Sequence, residues 1–309
     1  MNSKLRNWLN LYLRKSPSPP PLFQRQLVIG LGAMKSGTTW LSDYLGSHPG
    51  FFHSPIKEMN TFAALFPENS DYLGFRYKHG ESYRLWRMEK IVLSFGQSPS
   101  RIDRTEAERE RFNRLRALAQ IGRIASTKDY LDYFEERIGS QLHFGEISPS
   151  YAHLPLAAYS CMAGLARDVR FIFLMRDPTS RAASHLRHAR RRVHKDAPLE
   201  SLLERVNPSN SIYHRSDYGY TIRALRSLGL ESKTKFLVYE HLFRQETVDE
   251  LCDWLGLGRH QAVLDKRLNP GVGEALSETQ MNQLRERLAP IYADLRDDPA
   301  VQGASSWRW

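Results

Sequence analysis

Apolar positions in this chain gather in short runs. Five of them, rich in β-branched and aromatic residues, stand out: "QLVIGL" at 26–31, "FFHSP" from 51, "LHFGEI" from 142, "VRFIFLM" at 169–175 and "KFLVYE" at 235–240. Short apolar runs bounded by turn formers are the pattern of buried strands. Helical spacing fills most of the intervals between them. Strands alternating with helices predict an α/β domain built on a central, mainly parallel sheet. Ligands of such a sheet sit outside the carboxyl ends of its strands, so the chemistry is expected in the turns that follow the runs.

The flanks read differently. Leu5, Trp8, Leu9, Tyr12 and Leu13 repeat at helical spacing beside Lys4, Arg6, Arg14 and Lys15, and Ser16–Pro21 reads as a stiff linker, so residues 1–24 are set apart from a domain over 25–300. Three placements of this basic helix stay open: peripheral contact with a membrane through residues 1–15, docking on the protein's own body, or fraying in solvent. Arg6, Asn7 and Asn10 interrupt any run long enough for a signal core or a membrane span, which leads to the expectation of a cytoplasmic protein. Inside the domain, 70–140 is less regular. Its segment "RIDRTEAERERFNRLRALAQIGR" is a charged helix with a thin apolar face of Ile102, Leu115, Leu118 and Ile121, read as an insertion near the acceptor site. "SETQMNQLRERLAPIYADL" reads as a helix capped by Ser277, with Leu284, Leu288 and Ile291 facing inward.

Composition narrows the class of function. With 309 residues, 41% of them hydrophobic, the chain can bury a substantial core. Its two cysteines, Cys161 and Cys252, are far apart and suggest neither a disulfide framework nor a metal or redox site. The formal charge of +10 favours an anionic partner: a nucleotide, an acidic glycan, nucleic acid or an anionic membrane surface.

The turn after the first run, "GLGAMKSGTTW" at 30–40, places Gly32 and Gly37 at the spacing of a phosphate-cradling loop, yet Thr38 stands where such a loop carries its lysine. The lysine is at Lys35 instead. Strand, glycine turn and helix form an anion site through the amides at the helix start, and the Thr38 and Thr39 hydroxyls add donors. From spacing alone, a tight structural turn explains the glycines equally well.

"MKSGTTWL", Met34–Leu41, resembles the 5′-phosphosulfate loop of the sulfotransferases that use 3′-phosphoadenosine 5′-phosphosulfate (PAPS), with usual form P-K-[SG]-G-T-[ST]-x-L. That resemblance implies a P-loop NTPase-like three-layer fold and a donor site that includes Lys35, Ser36, Gly37, Thr38, Thr39 and Trp40. A sulfuryl group in transfer carries less charge than a phosphoryl group, so the reaction can proceed without bridging Mg²⁺. A lysine beside the bond between phosphate and sulfate then stabilises the departing oxygen, the role expected of Lys35, and no metal is expected. Trp40 has two open placements, against adenine or in the core. "FIFLMRDPTSRAASHLRH" resembles the family's hhhhhRNPxxRAxSHY, which carries the 3′-phosphate role onto Arg176 and Ser184. "SDYGYTIRALRSLGLESKTKFLVYEHL" resembles the segment that completes the family's nucleotide pocket. It brings Ser216 and Tyr218 toward the adenosine and leaves Glu240 structural, and "NPGVG" after Asn269 looks like a loop over the cofactor.

Transfer to an alcohol needs a base. "HSPIKEMNTF" resembles the K-E-x-x-(Y/F)-F segment of carbohydrate-type and bacterial sulfotransferases, whose glutamate is the base, which implies Glu58 with Lys57 beside it. "GEISPSYAH" is close to the family's G-E-K-[ST]-P-x-Y, with Ile147 in place of the lysine and Glu146, Ser148 and Tyr151 as acceptor-side residues. His53 and His153 are alternative bases, as in the cytosolic relatives. The basic run "HLRHARRRVHK" reads as a solvated face or as the lining of a cleft for an anionic acceptor. The implied acceptor is a hydroxyl of a carbohydrate, glycolipid or small molecule, with no nucleic-acid partner. Two rival classes remain: a Mg²⁺-dependent P-loop kinase or NTPase, which Thr38 disfavours, and a basic nucleic-acid-binding protein, which leaves the Arg176–Ser184 spacing unexplained.

Overall fold

The computed structural model describes residues 20–69, 106–192, 198–265, 275–307 and 309. All five apolar runs form strands: β1 (Gln26–Gly32), β2 (Phe51–His53), β3 (His143–Ile147), β4 (Asp168–Met175) and β5 (Thr234–Val238). They pair in parallel in the order β2-β3-β1-β4-β5. The fifth run ends earlier than the sequence suggests, because Tyr239 and Glu240 turn directly into a short helix.

Helices fill the crossovers that parallel strands require. They are α1 (Thr38–Ser47), α2 (Thr61–Leu65), α3 (Glu106–Arg123), α4 (Thr127–Glu135), α5 (Leu156–Ala163), α6 (Pro178–Arg192), α7 (Leu199–Glu204), α8 (Ser211–His214), α9 (Tyr218–Ser227), α10 (Tyr239–Leu242), α11 (Gln245–Leu255) and α12 (Glu278–Leu295).

Strand side chains alternate between two separate cores, the signature of a sheet covered on both faces. Leu27, Ile29 and Leu31 of β1, with Phe171 and Phe173 of β4, meet Tyr159 of α5, Leu186 of α6, Ile222 of α9 and Leu288 of α12. Their neighbours Val28, Ile172 and Leu174 meet Leu41 of α1 and Leu251 of α11 on the other side. The strands therefore read as unbroken apolar runs rather than as alternating ones. At the β1–β3 contact only a glycine fits: a Cβ on Gly145 would lie 1.8 Å from the Val28 carbonyl oxygen.

The C-terminal helix begins with a capping box between Ser277 and Gln280, and Leu284, Leu288 and Ile291 are buried as their spacing demands. The described part of the charged insertion is helical. Phe134 of α4 packs edge-on to Phe52 of β2 and lies 5.1 Å from the Phe144 ring of β3, which sets this segment against the β2–β3 edge. The N-terminal basic helix, the start of the insertion and the "NPGVG" loop lie outside the described residues. Among the described residues no helix is long and apolar enough to cross a membrane.

Candidate functional site

The turn from β1 into α1 places Lys35 and Gly37 in left-handed backbone, with φ of 71° and 89°. Gly37 is the N-cap of α1, and a Cβ there would lie 2.8 Å from the Tyr239 ring. The amides of a helix's first turn have no partners inside the helix, and the glycine lets the chain approach that opening closely. Ser36 and Thr38 are buried in the turn, and the Ser36 side chain lies beside the Tyr218 hydroxyl. Thr39 Oγ1 accepts a hydrogen bond from Lys57 Nζ. Trp40 occupies the packed placement: it is 5% exposed, stacks on Tyr44 at 5.6 Å and donates its indole N–H to the Val263 carbonyl at 3.1 Å.

Arg176 leaves the end of β4 directly opposite this turn. Its guanidinium lies 4.4 Å over the Tyr239 ring, and Nη1 donates to the Lys35 carbonyl at 3.3 Å. Its Nε is buried without a hydrogen-bond partner among the described residues. Tyr218, 1% exposed at the start of α9, donates its hydroxyl proton to the Arg176 carbonyl at 2.7 Å, and burial pushes the phenol up to about 12. Its hydroxyl therefore holds the arginine's backbone. Asp177 caps α6 by accepting from the Ser180 amide at 2.7 Å, and Glu240 accepts from the Asp177 amide and the Trp307 indole. Pro178 starts α6, which carries Ser184 two turns on, half-buried, as the sequence spacing requires.

The same helix α6 carries Arg181 and His185 one turn apart. Arg181 is fully buried; it donates from Nε to Ser216 Oγ at 2.7 Å and from Nη2 to the Ile212 carbonyl, and its Nη1 is 3.5 Å from His185 Nδ1. Burial first, then Arg215 and Arg176, bring its pKa down to about 10 despite an opposing influence of Tyr218. Ser216 is thereby tied to Arg181. Arg215 Nη1 contacts the Met34 sulfur. Sequence reasoning missed Arg181, although the one signal available was its place inside the quoted motif.

Glu58 sits in the turn after β2, half-buried, with φ of 55°. Lys35, Glu58 and Lys57 form one electrostatic group. Burial, then Arg191 and Arg176, and last Lys57, lower the Lys35 pKa, while Glu58 raises it. Burial likewise lowers that of Lys57 against the opposing pull of Glu58 and Asp43. The structure thus brings together Lys35, Glu58 and Arg176, which stand far apart in sequence.

The alternative bases are placed differently. His53 engages both ring nitrogens, Nε2 with Ser42 Oγ at 3.0 Å and Nδ1 with the Ser54 carbonyl at 2.7 Å, and burial lowers its pKa. His153 is buried and stacked on Tyr220 at 5.4 Å, and burial, then His214, Arg215 and Arg181, push its pKa down to about 3. Both read as structural imidazoles. Glu146, Ser148 and Tyr151 are buried and bonded to one another behind the Glu58 turn, with no exposure toward an acceptor. Ile147 points into the opposite core.

The parallel sheet, the glycine turn at the end of β1 and the cations around it define a P-loop NTPase-like α/β protein. A family model described as the sulfotransferase family matches residues 28–261, most of the chain, and the chain belongs to that family. The sulfotransferase of Alicyclobacillus acidocaldarius superposes with a TM-score of 0.58 at 18% identity, covering 88% of this chain and 94% of that one, a likeness of fold. Further matches are the sulfotransferase domain of the Synechococcus PCC 7002 olefin synthase (TM-score 0.47, 16% identity, 92% and 98% covered) and sulfotransferase STF9 of Mycobacterium avium (TM-score 0.48, 16%, 94% and 80%). No curated protein matches the chain. The protein is an enzyme of sulfuryl transfer.

Proposed function

We propose that the sulfuryl donor is PAPS and that the acceptor is a hydroxyl of a carbohydrate, glycolipid or small molecule. The observation that carries the donor assignment is Arg176: a guanidinium stacked on Tyr239, tied by its backbone to Tyr218, and left with a buried Nε that has no partner among the described residues at the β1 turn. A fixed, permanently charged fork with spare donors suits a phosphate. PAPS fits a site that offers helix-start amides, Lys35 and Arg176 together, and it would supply the sulfuryl group and a bisphosphate leaving group.

Glu58 takes the acceptor's hydroxyl proton as the oxygen attacks sulfur. Lys35 places its ammonium charge against the oxygen that departs with the nucleotide, and Lys57, bonded to Thr39, adds a second cation on that side. Tyr218 serves the donor pocket by fixing Arg176. Ser184 stands with Arg176 for the 3′-phosphate. The packing of α4 on the β2–β3 edge supports an acceptor bound on the Glu58 side of the loop.

Calorimetric titration with adenosine 3′,5′-bisphosphate in the absence of Mg²⁺ tests the donor assignment. Binding should be tighter than that of adenosine 5′-monophosphate, and Arg176→Ala should weaken it roughly 100-fold, the loss of a charge-assisted bidentate contact. Equal affinity for the two nucleotides, or indifference to Arg176→Ala, would overturn it.

A further inference from the structure

The turn that carries Glu58 is built against the backbone's own preference. Glu58 and Asn60 both adopt left-handed φ, 55° and 56°, which costs a non-glycine residue free energy unless surrounding contacts impose it. Asn60 is also the N-cap of α2, and its side chain makes no capping bond within that helix. The amides at the start of α2 must find partners elsewhere.

They find them at the end of β3. The buried Glu146 carboxylate accepts one hydroxyl on each oxygen, Ser148 Oγ at 2.6 Å and Tyr151 Oη at 2.6 Å. A hydroxyl has one proton and two lone pairs, so a hydroxyl that gives its proton to a carboxylate turns its lone pairs to amides. The Asn60 amide donates to Ser148 Oγ at 3.0 Å and the Phe62 amide to the Tyr151 hydroxyl at 3.3 Å. The Asn60 side chain completes the clasp: its Oδ1 accepts from Ser150 Oγ at 2.6 Å, and its Nδ2 donates to the Glu58 carbonyl at 2.8 Å. One carboxylate thus orients two hydroxyls, the hydroxyls hold two amides, and the asparagine passes the constraint to Glu58, two residues before it.

We propose that Ser148, oriented by Glu146, is a positioning residue that sets the place of the Glu58 carboxylate beside Lys35 through its grip on the Asn60 amide. The inference rests on the reading of Glu58 as the base. Ser148 does not meet the substrate. Without its hydroxyl the Asn60 amide loses its partner, the left-handed turn relaxes, and the carboxylate leaves Lys35; displacement of a base by about 1 Å costs on the order of 100-fold in rate.

Five proteins test this: wild type, Ser148→Ala, Ser148→Thr, which keeps the hydroxyl, Glu58→Gln and, as a second route to the same clasp, Glu146→Gln. Calorimetric binding of adenosine 3′,5′-bisphosphate reports the donor side, amide hydrogen exchange reports Asn60, and an NMR titration of the Lys35 side chain reports its distance from Glu58. Arg191, Arg176, Lys57 and His185 also face that lysine and are unchanged across the set. Ser148→Ala should bind the bisphosphate within about twofold of wild type, exchange the Asn60 amide at least roughly tenfold faster, and lower the Lys35 pKa in the same direction as Glu58→Gln; Ser148→Thr should restore both. A Ser148→Ala protein that binds the bisphosphate yet keeps wild-type Asn60 exchange and Lys35 titration overturns the proposal. Should that variant lose bisphosphate binding, Glu146→Gln must still release the Asn60 amide and shift Lys35, and failure there overturns it equally. Sulfuryl transfer that survives in Glu58→Gln would remove the base assignment while leaving the link from Ser148 to the Glu58 turn standing.

Discussion

Lys35 sits where several influences oppose one. Burial and the cations Arg191, Arg176 and Lys57 all favour its neutral form, and Glu58 alone favours the charged one. Since the proposed role needs the ammonium, activity should fall as pH rises through a pKa that lies below the usual lysine value of 10.5. Arg191→Gln removes the strongest of the lowering charges, so the basic limb of the kcat/KM profile should move to higher pH, and Lys35→Arg should carry it beyond the lysine range. A basic limb that ignores both changes belongs to another group. Lys35, Gly37 and Arg176 were legible in the sequence because a local motif surrounds each. Tyr218 and Ser148 were legible only as candidates for ligand contact, since their partners, Arg176 and Asn60, lie 42 and 88 residues away and no local spacing encodes such a bond. Trp40 illustrates the same limit: its indole partner Val263 is 223 residues distant, so both placements were open until the fold chose the core.

Between elements, the nucleotide loop and the Arg176 turn are coupled through one ring. Tyr239, at the start of α10, lies against Gly37 on one side and beneath the Arg176 guanidinium on another. Gly37→Ala would put a methyl 2.8 Å from that ring in a backbone of φ 89°. The expected outcome is a stability loss of roughly 1–3 kcal/mol, read from urea unfolding, together with weakened bisphosphate binding as the ring pushes Arg176 aside. Full affinity with lowered stability would show that the two turns are independent. The strands themselves were legible within a few residues because a sheet buried on both faces writes itself as continuous apolar runs. Their order was not, because nothing local in "LHFGEI" says that it inserts between β1 and β2. The β5 end was overrun for a related reason: Tyr239 and Glu240 suit a strand by composition, but their contacts to Arg176 and Asp177 draw them into a helix.

At the scale of the whole molecule, buried imidazoles set the acid side of stability. His153, with a pKa near 3, and His185, held well below the usual imidazole value of 6.5 by burial, Arg215 and Arg181, stay neutral in the fold. The unfolded chain binds protons below about pH 6.5 that the native state refuses, so stability is full above that pH and declines as pH falls toward the folded values. His153→Phe, which keeps an aromatic ring against Tyr220, should make the fall in Tm between pH 6.5 and about 4 shallower; an unchanged slope would assign the decline to other groups.

The strand order has a historical side. β1 lies in the middle of the sheet, with Arg176 and Tyr239 following β4 and β5 on one flank and the Glu58 turn with its Ser148 clasp on the other. The described helices that join β2 to β3 after the Glu58 turn are set, through Phe134 of α4, against the β2–β3 edge. A lineage can therefore lengthen or exchange the passage between the Glu58 turn and β3 and acquire a new alcohol to modify, while the turn itself and the nucleotide chemistry it serves are inherited untouched.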